Sequence, residues 1–307
     1  MFYSSNINNA ATSTSAIVAR NKDYNTVQFY SGAIDPVDGG DGDDFAGGTQ
    51  DNGTQILIDG SAGANAFFDP VGGDGAYTEI DDTGTYMIQS YPTNRHRWIN
   101  YPTVSSAITV TTPGPDAISP PNCNTSNGDF INTAELDKNL NIMYSNASFT
   151  TFVCADGTTV SNTYRIERSA EFLPGGLPQV NTFLSNAMLN TSPTAMKISP
   201  FTAGSSKLFV GLDNGTLIRI DTADGTPTWN NITGAGFSGS ISDIEFGQNE
   251  QEIFVTFHNY GVTSIRFTAN GGGSWVSKEG TFPDIPVKCL LQNPLIPNEV
   301  IIGTDLG

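Results

Sequence analysis

The sequence predicts an all-β fold: one β-propeller domain over residues 1–307, with about six or more four-stranded antiparallel blades and incomplete at both termini. Three observations lead there. Short β-branched or aromatic runs bounded by Gly, Asn, Asp and Pro fill most of the chain, which is the pattern of strands and hairpins. Phe209-Val210-Gly211-Leu212-Asp213-Asn214-Gly215 recurs as Val255-Thr256-Phe257-His258-Asn259-Tyr260-Gly261 and as Ile301-Ile302-Gly303-Thr304-Asp305-Leu306-Gly307, each copy 46 residues after the last. Trp229 and Trp275 keep the same spacing of 46. Antiparallel units of ~46 residues have the length of propeller blades.

Within the clearest unit, residues 196–199 read as a first strand, 207–212 as a second and 216–221 as a third, followed by a loop ending at Trp229. The Asp213-Asn214-Gly215 turn suits the positive φ of tight hairpins. The N-terminal half repeats less cleanly. Units there begin at Ala33-Ile34-Asp35, Tyr77-Thr78-Glu79-Ile80-Asp81 and Ala134-Glu135-Leu136-Asp137, so first strands end near residues 36, 81, 137, 200, 247 and 294. The longer intervals imply insertions around 103–130 and 155–190. Val180, Phe183, Leu184, Ala187 and Met188 have helical spacing over two turns, which a strand and loop explain equally well. Residues 1–20 look like the outer part of a blade and the last unit stops as it turns into its third strand, so the chain reads as a piece of a longer polypeptide.

With 13 Lys and Arg against 31 Asp and Glu, the net charge is −18. That balance speaks against nucleic acid or an anionic membrane surface as partner. No apolar run approaches the ~18 residues of a membrane helix, so membrane insertion is not expected. The three cysteines lack metal-ligand spacing. Cys123, in a Pro/Asn-rich loop, and Cys154, at the end of an apolar strand, can bridge in an oxidising compartment, whereas Cys289 reads as a small buried hydrophobe.

Thr268-Ala269-Asn270-Gly271-Gly272-Gly273-Ser274-Trp275 resembles the Asp-box, or bacterial neuraminidase repeat, with Asn270 in place of the usual Asp. Thr222-Ala223-Asp224-Gly225-Thr226-Pro227-Thr228-Trp229 resembles the same box with altered spacing. The resemblance implies a hairpin between third and fourth strands in which Thr222 and Asp224, or Thr268 and Asn270, cap the turn while Trp229 or Trp275 packs between blades. The wider phrasing, as in Gly48-Thr49-Gln50-Asp51-Asn52-Gly53-Thr54, is similar to sortilin-like and xyloglucanase-like propellers of secreted bacterial proteins, which implies an extracellular or cell-surface location. Members of that group include sialidases, endoglucanases, receptors and scaffolds, so the resemblance leaves function open.

Asp213, Asn259 and Asp305 sit where glycoside hydrolysis would want carboxylates, but a group repeated in successive blades is better explained by side chains bonding their own turns. Asp51 and Asp74 stand outside the clean repeat and are the candidate acid and base or nucleophile of a hydrolase. Asp35, Asp38, Asp41, Asp43 and Asp44 crowd a glycine-rich loop with hard oxygen ligands suited to Ca²⁺, although a solvated acidic loop is the favoured reading. Trp98 and Tyr101, in the stretch 91–101 with Arg95 and Arg97, offer rings for stacking on sugars; an ordinary outer hairpin is favoured. His96 and His258 have no metal partner at a recognisable spacing. The resemblance would place a sialidase arginine in an Arg-Ile-Pro motif; Arg165-Ile166-Glu167 lacks the proline, and Arg165 and Arg168 read as exposed residues on an outer strand.

Two functions remain. The first is a non-catalytic binding or scaffolding module for a polysaccharide or protein ligand, without a cofactor apart from the Ca²⁺ that the acidic loop would suit. The second is a carbohydrate-active enzyme with paired carboxylates in a cleft on the propeller face.

Overall fold

The computed structural model describes residues 2–3, 18–19, 27–37, 43–62, 66–70, 72–104, 107–111, 127–154, 156–170 and 180–306. Strands β1 (Phe2–Tyr3) and β2 (Val18–Ala19) pair with each other. The first blade is β3 (Ala33–Ile34), β4 (Phe45–Gly48) and β5 (Thr54–Leu57). The second is β6 (Thr78–Ile80), β7 (Tyr86–Tyr91), β8 (Arg95–Asn100) and β9 (Ala107–Thr109). The third is β10 (Ala134–Asp137), β11 (Ile142–Asn146), β14 (Ile166–Ala170) and β15 (Val180–Leu184), with the hairpin β12 (Phe152–Val153) and β13 (Thr159–Val160) inserted between its second and third strands. The fourth is β16 (Pro193–Ile198), β17 (Leu208–Leu212), β18 (Leu217–Asp221) and β19 (Thr228–Asn231). The fifth is β20 (Ile241–Phe246), β21 (Ile253–Phe257), β22 (Ile265–Thr268) and β23 (Val276–Ser277). A final antiparallel pair is β24 (Val287–Gln292) and β25 (Val300–Thr304).

The propeller class holds, and the blade count is corrected. Among the described residues there are five blades of three or four strands, not six or more of four. In the first blade the Gly- and Asp-rich segment after β5 supplies one isolated bridge, Ile56 with Phe68, where a fourth strand would pair. The sixth unit contributes only the pair β24 and β25. Residues 180–184 form a strand, which resolves the helical spacing there, and Trp229 lies within β19 rather than in a loop.

Each sheet is held by the next. The buried apolar clusters are shared between neighbours: Ile80, Met87 and Ile99 with Ala33, Ala46 and Ile56; Ile218 and Ile220 with Tyr144 and Ile166; Ile244 and Val255 with Phe209 and Leu217. A buried Ile, Leu or Phe contributes about 1.5–3 kcal/mol, so the stacking supplies stability that a lone blade lacks. Packing is tight enough at Gly48 that a Cβ there would lie 2.0 Å from the carbonyl oxygen of Ala76 in the second blade. First strands β16, β20 and β24 touch in succession, which sets them around an axis.

Candidate functional site

The first strands line two cavities, one near each of their ends. The larger, of about 790 Å³, includes Tyr77, Asn132, Thr133, Thr194, Ser242 and Asp305 among its walls. The smaller, of about 500 Å³, includes Glu79, Glu135, Lys197, Glu245, Phe201 and Leu291.

Side chains at these walls tie each first strand to the next. On the side of the larger cavity, hydroxyls donate to backbone carbonyls of the following blade: Ser31 to Ala76 at 2.6 Å, Thr194 to Ile241 at 2.7 Å and Ser242 to Val287 at 2.6 Å. Between the second and third blades the Leu136 amide donates to the Tyr77 hydroxyl at 3.0 Å. Toward the smaller cavity, carboxylates do the same work. The Ile198 amide donates to Glu135 Oε1 at 3.2 Å, the Leu290 amide to Asp243 Oδ2 at 2.8 Å, and Lys197 Nζ meets Glu245 Oε2 at 3.1 Å. Lys138 joins Glu79 at 2.7 Å and Asp82 at 3.5 Å.

Enclosure shapes the charges. Burial pushes the Glu135 carboxyl up to about 7 against the lowering pull of Lys197. Burial also raises the carboxyls of Asp243 and Glu245, and the Cys289 thiol, which Asp243 raises further. Burial alone would lower Lys197, but Glu135, Glu245 and Asp243 outweigh it and hold the amine charged above its ordinary range. A thiol pushed upward is a poor nucleophile.

Of the residues singled out in the sequence, His258, Cys289 and Asp305 line the larger cavity, and the others fall elsewhere. Asp51 and Asp74 are brought together, with the Asp51 amide donating to Asp74 Oδ1 at 2.7 Å, and Asp51 has φ of 59°. The Asp74 carboxylate thus braces the turn that follows β4, and neither residue lines the two cavities. Trp98 and Tyr101 are each 3% exposed, so the reading of their rings as a sugar platform is corrected: Trp98 stacks on Tyr86 and the Tyr101 hydroxyl donates to Asp44. Along β8, His96, Trp98 and Ile99 are all buried, with Trp98 packed toward the third blade and Ile99, on the opposite face, toward the first.

In the acidic loop, Asp35 Oδ1 accepts the Val37 amide and Asp44 Oδ1 the Asp59 amide. Asp43 is described, and its backbone carbonyl accepts the Gly60 amide, whereas Asp38 and Asp41 lie outside the described residues. Among the described residues no group of three or more His, Cys, Asp or Glu is placed to hold a metal ion. Cys154 is disulfide-bonded and Cys123 lies outside the described residues. Cys289 is free and exposed, not buried as expected.

The two tryptophan hairpins differ. Asn270 Oδ1 accepts the Ser274 amide at 2.8 Å and the Thr268 hydroxyl at 2.8 Å, while Thr268 Oγ1 accepts the Asn270 and Gly272 amides. Asp224 instead accepts the Ser206 amide of the hairpin between β16 and β17, and Thr222 takes φ of 56°. Trp229 packs where the third and fourth blades meet, and Trp275 where the fourth and fifth meet, with its Nε1 donating to the Ile232 carbonyl at 3.0 Å. Own-turn bonding is also corrected at Asn259, which caps Ser240 in a neighbouring segment, and at Asp305, which meets His258 Nε2 and Lys288 Nζ at 3.3 Å each. Arg165 is 1% exposed with its guanidinium 3.9 Å from the Phe183 ring centre, and Arg168 is half-buried, so neither is an exposed outer-strand residue.

Sequence reasoning missed Glu135, Lys197, Asp243 and Glu245. The available signal was register: Glu79, Glu135 and Glu245 stand two positions, and Lys197 three, before the first-strand ends near residues 81, 137, 247 and 200, charged residues beside apolar ones.

No protein-family model matches the chain, and no curated protein matches it. Solved structures of other proteins align with the chain. PorZ of Porphyromonas gingivalis, an essential bacterial surface component of the type-IX secretion system, aligns with a TM-score of 0.58 at 13% identity, covering 86% of this chain and 36% of PorZ. The chain therefore spans about a third of that protein's length, the 36% just given. The β-propeller domain of Myceliophteria thermophila Cps50 (Swd1) aligns with a TM-score of 0.49 at 14% identity, over 79% of this chain and 66% of that domain.

Proposed function

We propose that this chain is a non-catalytic binding or scaffolding propeller of a secreted or cell-surface protein, with a polysaccharide or protein as ligand. The observation that carries this reading is the commitment of its carboxylates to structure. Asp74 holds the Asp51 amide, Glu135 and Asp243 hold amides of the following blade, and Glu245 holds Lys197. A hydrolase needs one carboxylic acid and one carboxylate facing a shared sugar site.

The disulfide at Cys154 supports an oxidising, extracytoplasmic setting. PorZ, alike in fold, is a surface component. The 268–275 hairpin, with Asn270 capping Ser274 and Trp275 packed against the preceding blade, supports reading the unit as an Asp-box. In a screen against polysaccharides, the chain is expected to retain one or more in affinity electrophoresis and to release no reducing sugar. Release that disappears in Asp74→Asn would replace this reading with a glycoside hydrolase.

A further inference from the structure

The smaller axial cavity combines two features that the fold itself does not require. The first is an uncommitted carboxylate oxygen. Both lysines in the walls are already engaged, Lys138 by Glu79 and Asp82 and Lys197 by Glu245. Glu135 Oε1 accepts the Ile198 amide, but among the described residues its Oε2 accepts no hydrogen bond and no lysine makes a direct ion pair with it, Lys197 acting on its charge only from farther off. The second is an apolar wall beside it. Phe201 and Leu291 line the same cavity with 48% and 52% of their surfaces exposed, and Pro200 and Pro294 flank them.

We infer that this cavity receives one basic side chain, a lysine or arginine presented by a partner polypeptide. Its charged head would complete the pairing of Glu135, and its hydrocarbon stem would lie along Phe201 and Leu291, as long basic side chains do on apolar surface. The Phe201 ring adds a face for the cation. A metal ion fits less well, because no group of three ligands is placed to hold one among the described residues. An anionic ligand would meet Glu79, Asp82 and Glu245 as well as Glu135. The inference rests on the binding-module reading and names the chemistry of one ligand contact.

Calorimetric titration at pH 8, above the value near 7 at which Glu135 ionises, tests it. The probes are a blocked Gly-Gly-Arg-Gly-Gly peptide and its norleucine counterpart, which keeps an apolar stem without the charge. The arginine peptide is expected to bind at least tenfold more tightly than the norleucine peptide. Glu135→Gln should weaken the arginine peptide at least tenfold, and Phe201→Ala, a change at an exposed ring, should weaken both peptides. Glu299→Gln, on the turn between β24 and β25, should leave binding unchanged. Absence of saturable binding at millimolar peptide, or equal affinities in Glu135→Gln and the parent, overturns the inference. If the peptides fail while a polysaccharide is still retained, the binding-module reading stands and only this contact is lost.

Discussion

The junction between the fourth and fifth blades and that between the second and third are built from opposite materials. At the former, Phe209, Leu217, Ile241, Ile244, Ile253 and Val255 are buried without a polar partner among them, and Phe209 meets Phe246 edge-on with ring centres 5.1 Å apart. At the latter, Ile88, Trp98 and Met143 share the interior with a polar network. Asn94 donates to Glu167 Oε2 at 2.5 Å and accepts from Ser145 Oγ at 2.7 Å, while Asn132 reaches both Asn94 and the Asn146 carbonyl. Asn94, Asn132, Ser145, Asn146 and Glu167 are each 2% exposed or less, as is the neighbouring His96, which makes no bond to them. The difference teaches that two solutions close the same propeller: apolar stacking, which tolerates repetition, and a buried polar network centred on Asn94, which is specific to one junction.

The largest effect should come from the apolar junction. Phe209→Ala removes a 1%-exposed ring and is expected to cost about 4 kcal/mol in urea unfolding. A cost below about 1 kcal/mol would mean that this junction does not carry stability through packing, and the contrast would break.

Charge at the inner edge should come next. The Glu135 carboxyl has an ordinary value of 4.5 and stands near 7 in the folded chain, so the folded state prefers the protonated form. Its favourable contribution is complete below pH 4.5 and is lost as pH rises through about 7. Glu135→Gln should therefore leave stability at pH 4 unchanged and raise it at pH 8 by up to about 3 kcal/mol. Thermal melts of both proteins across that range check the sign, and a variant less stable than the parent at pH 8 refutes it.

A smaller loss is expected in the polar junction. Asn94→Ala removes one hydrogen bond each from Glu167, Ser145 and Asn132 at once and should cost about 2 kcal/mol, because buried polar groups lose bonds there. The double variant with Phe209→Ala should be additive, since the two sites share no contact. Strong coupling would show that the junctions do not act independently.

The same contrast explains what was legible in the sequence. The period is plain in the fourth and fifth blades because β17 and β21 are wholly buried strands followed by turns with Gly215 and Gly261 at positive φ, and each feature leaves a local residue pattern. The second and third blades hide it. Asn94 and Glu167 are 73 residues apart and Asn94 and Asn132 are 38 apart, so no window of strand length contains a pair. Trp98 and Tyr101 misled for a related reason: an aromatic run beside arginines looks the same whether a neighbouring sheet covers it or not. The axial carboxylates are one or two residues per strand, and they acquire meaning only when the strands circle the axis. Asp51 and Asp74 were found as a pair worth attention, but their joint role in bracing a turn needed the backbone path.

The smallest effect at neutral pH concerns His96 and probes why the polar junction exists. Its ring is fully buried, edge-on to Tyr77 at 6.3 Å, and among the described residues neither ring nitrogen has a hydrogen-bond partner. Burial lowers its pKa from 6.5 to about 3, so the folded chain holds it neutral while the unfolded chain takes up a proton below 6.5. His96 therefore draws stability away as pH falls from 6.5 toward 3, opposite in sign to Glu135. His96→Phe keeps a flat ring of similar size and strands no partner. At pH 7.5 it should change stability by no more than about 1 kcal/mol, as expected when unpaired polar atoms give way to apolar ones. At pH 5 its advantage over the parent should be larger by about 2 kcal/mol, the linkage cost of 1.5 pH units below the unfolded value of 6.5. A parent and variant that lose stability in parallel between pH 7.5 and 5 would show that His96 is protonated or hydrated in the folded chain. The polar junction would then be wetter than its packing implies, and the two junctions would differ in water content as well as in residue type.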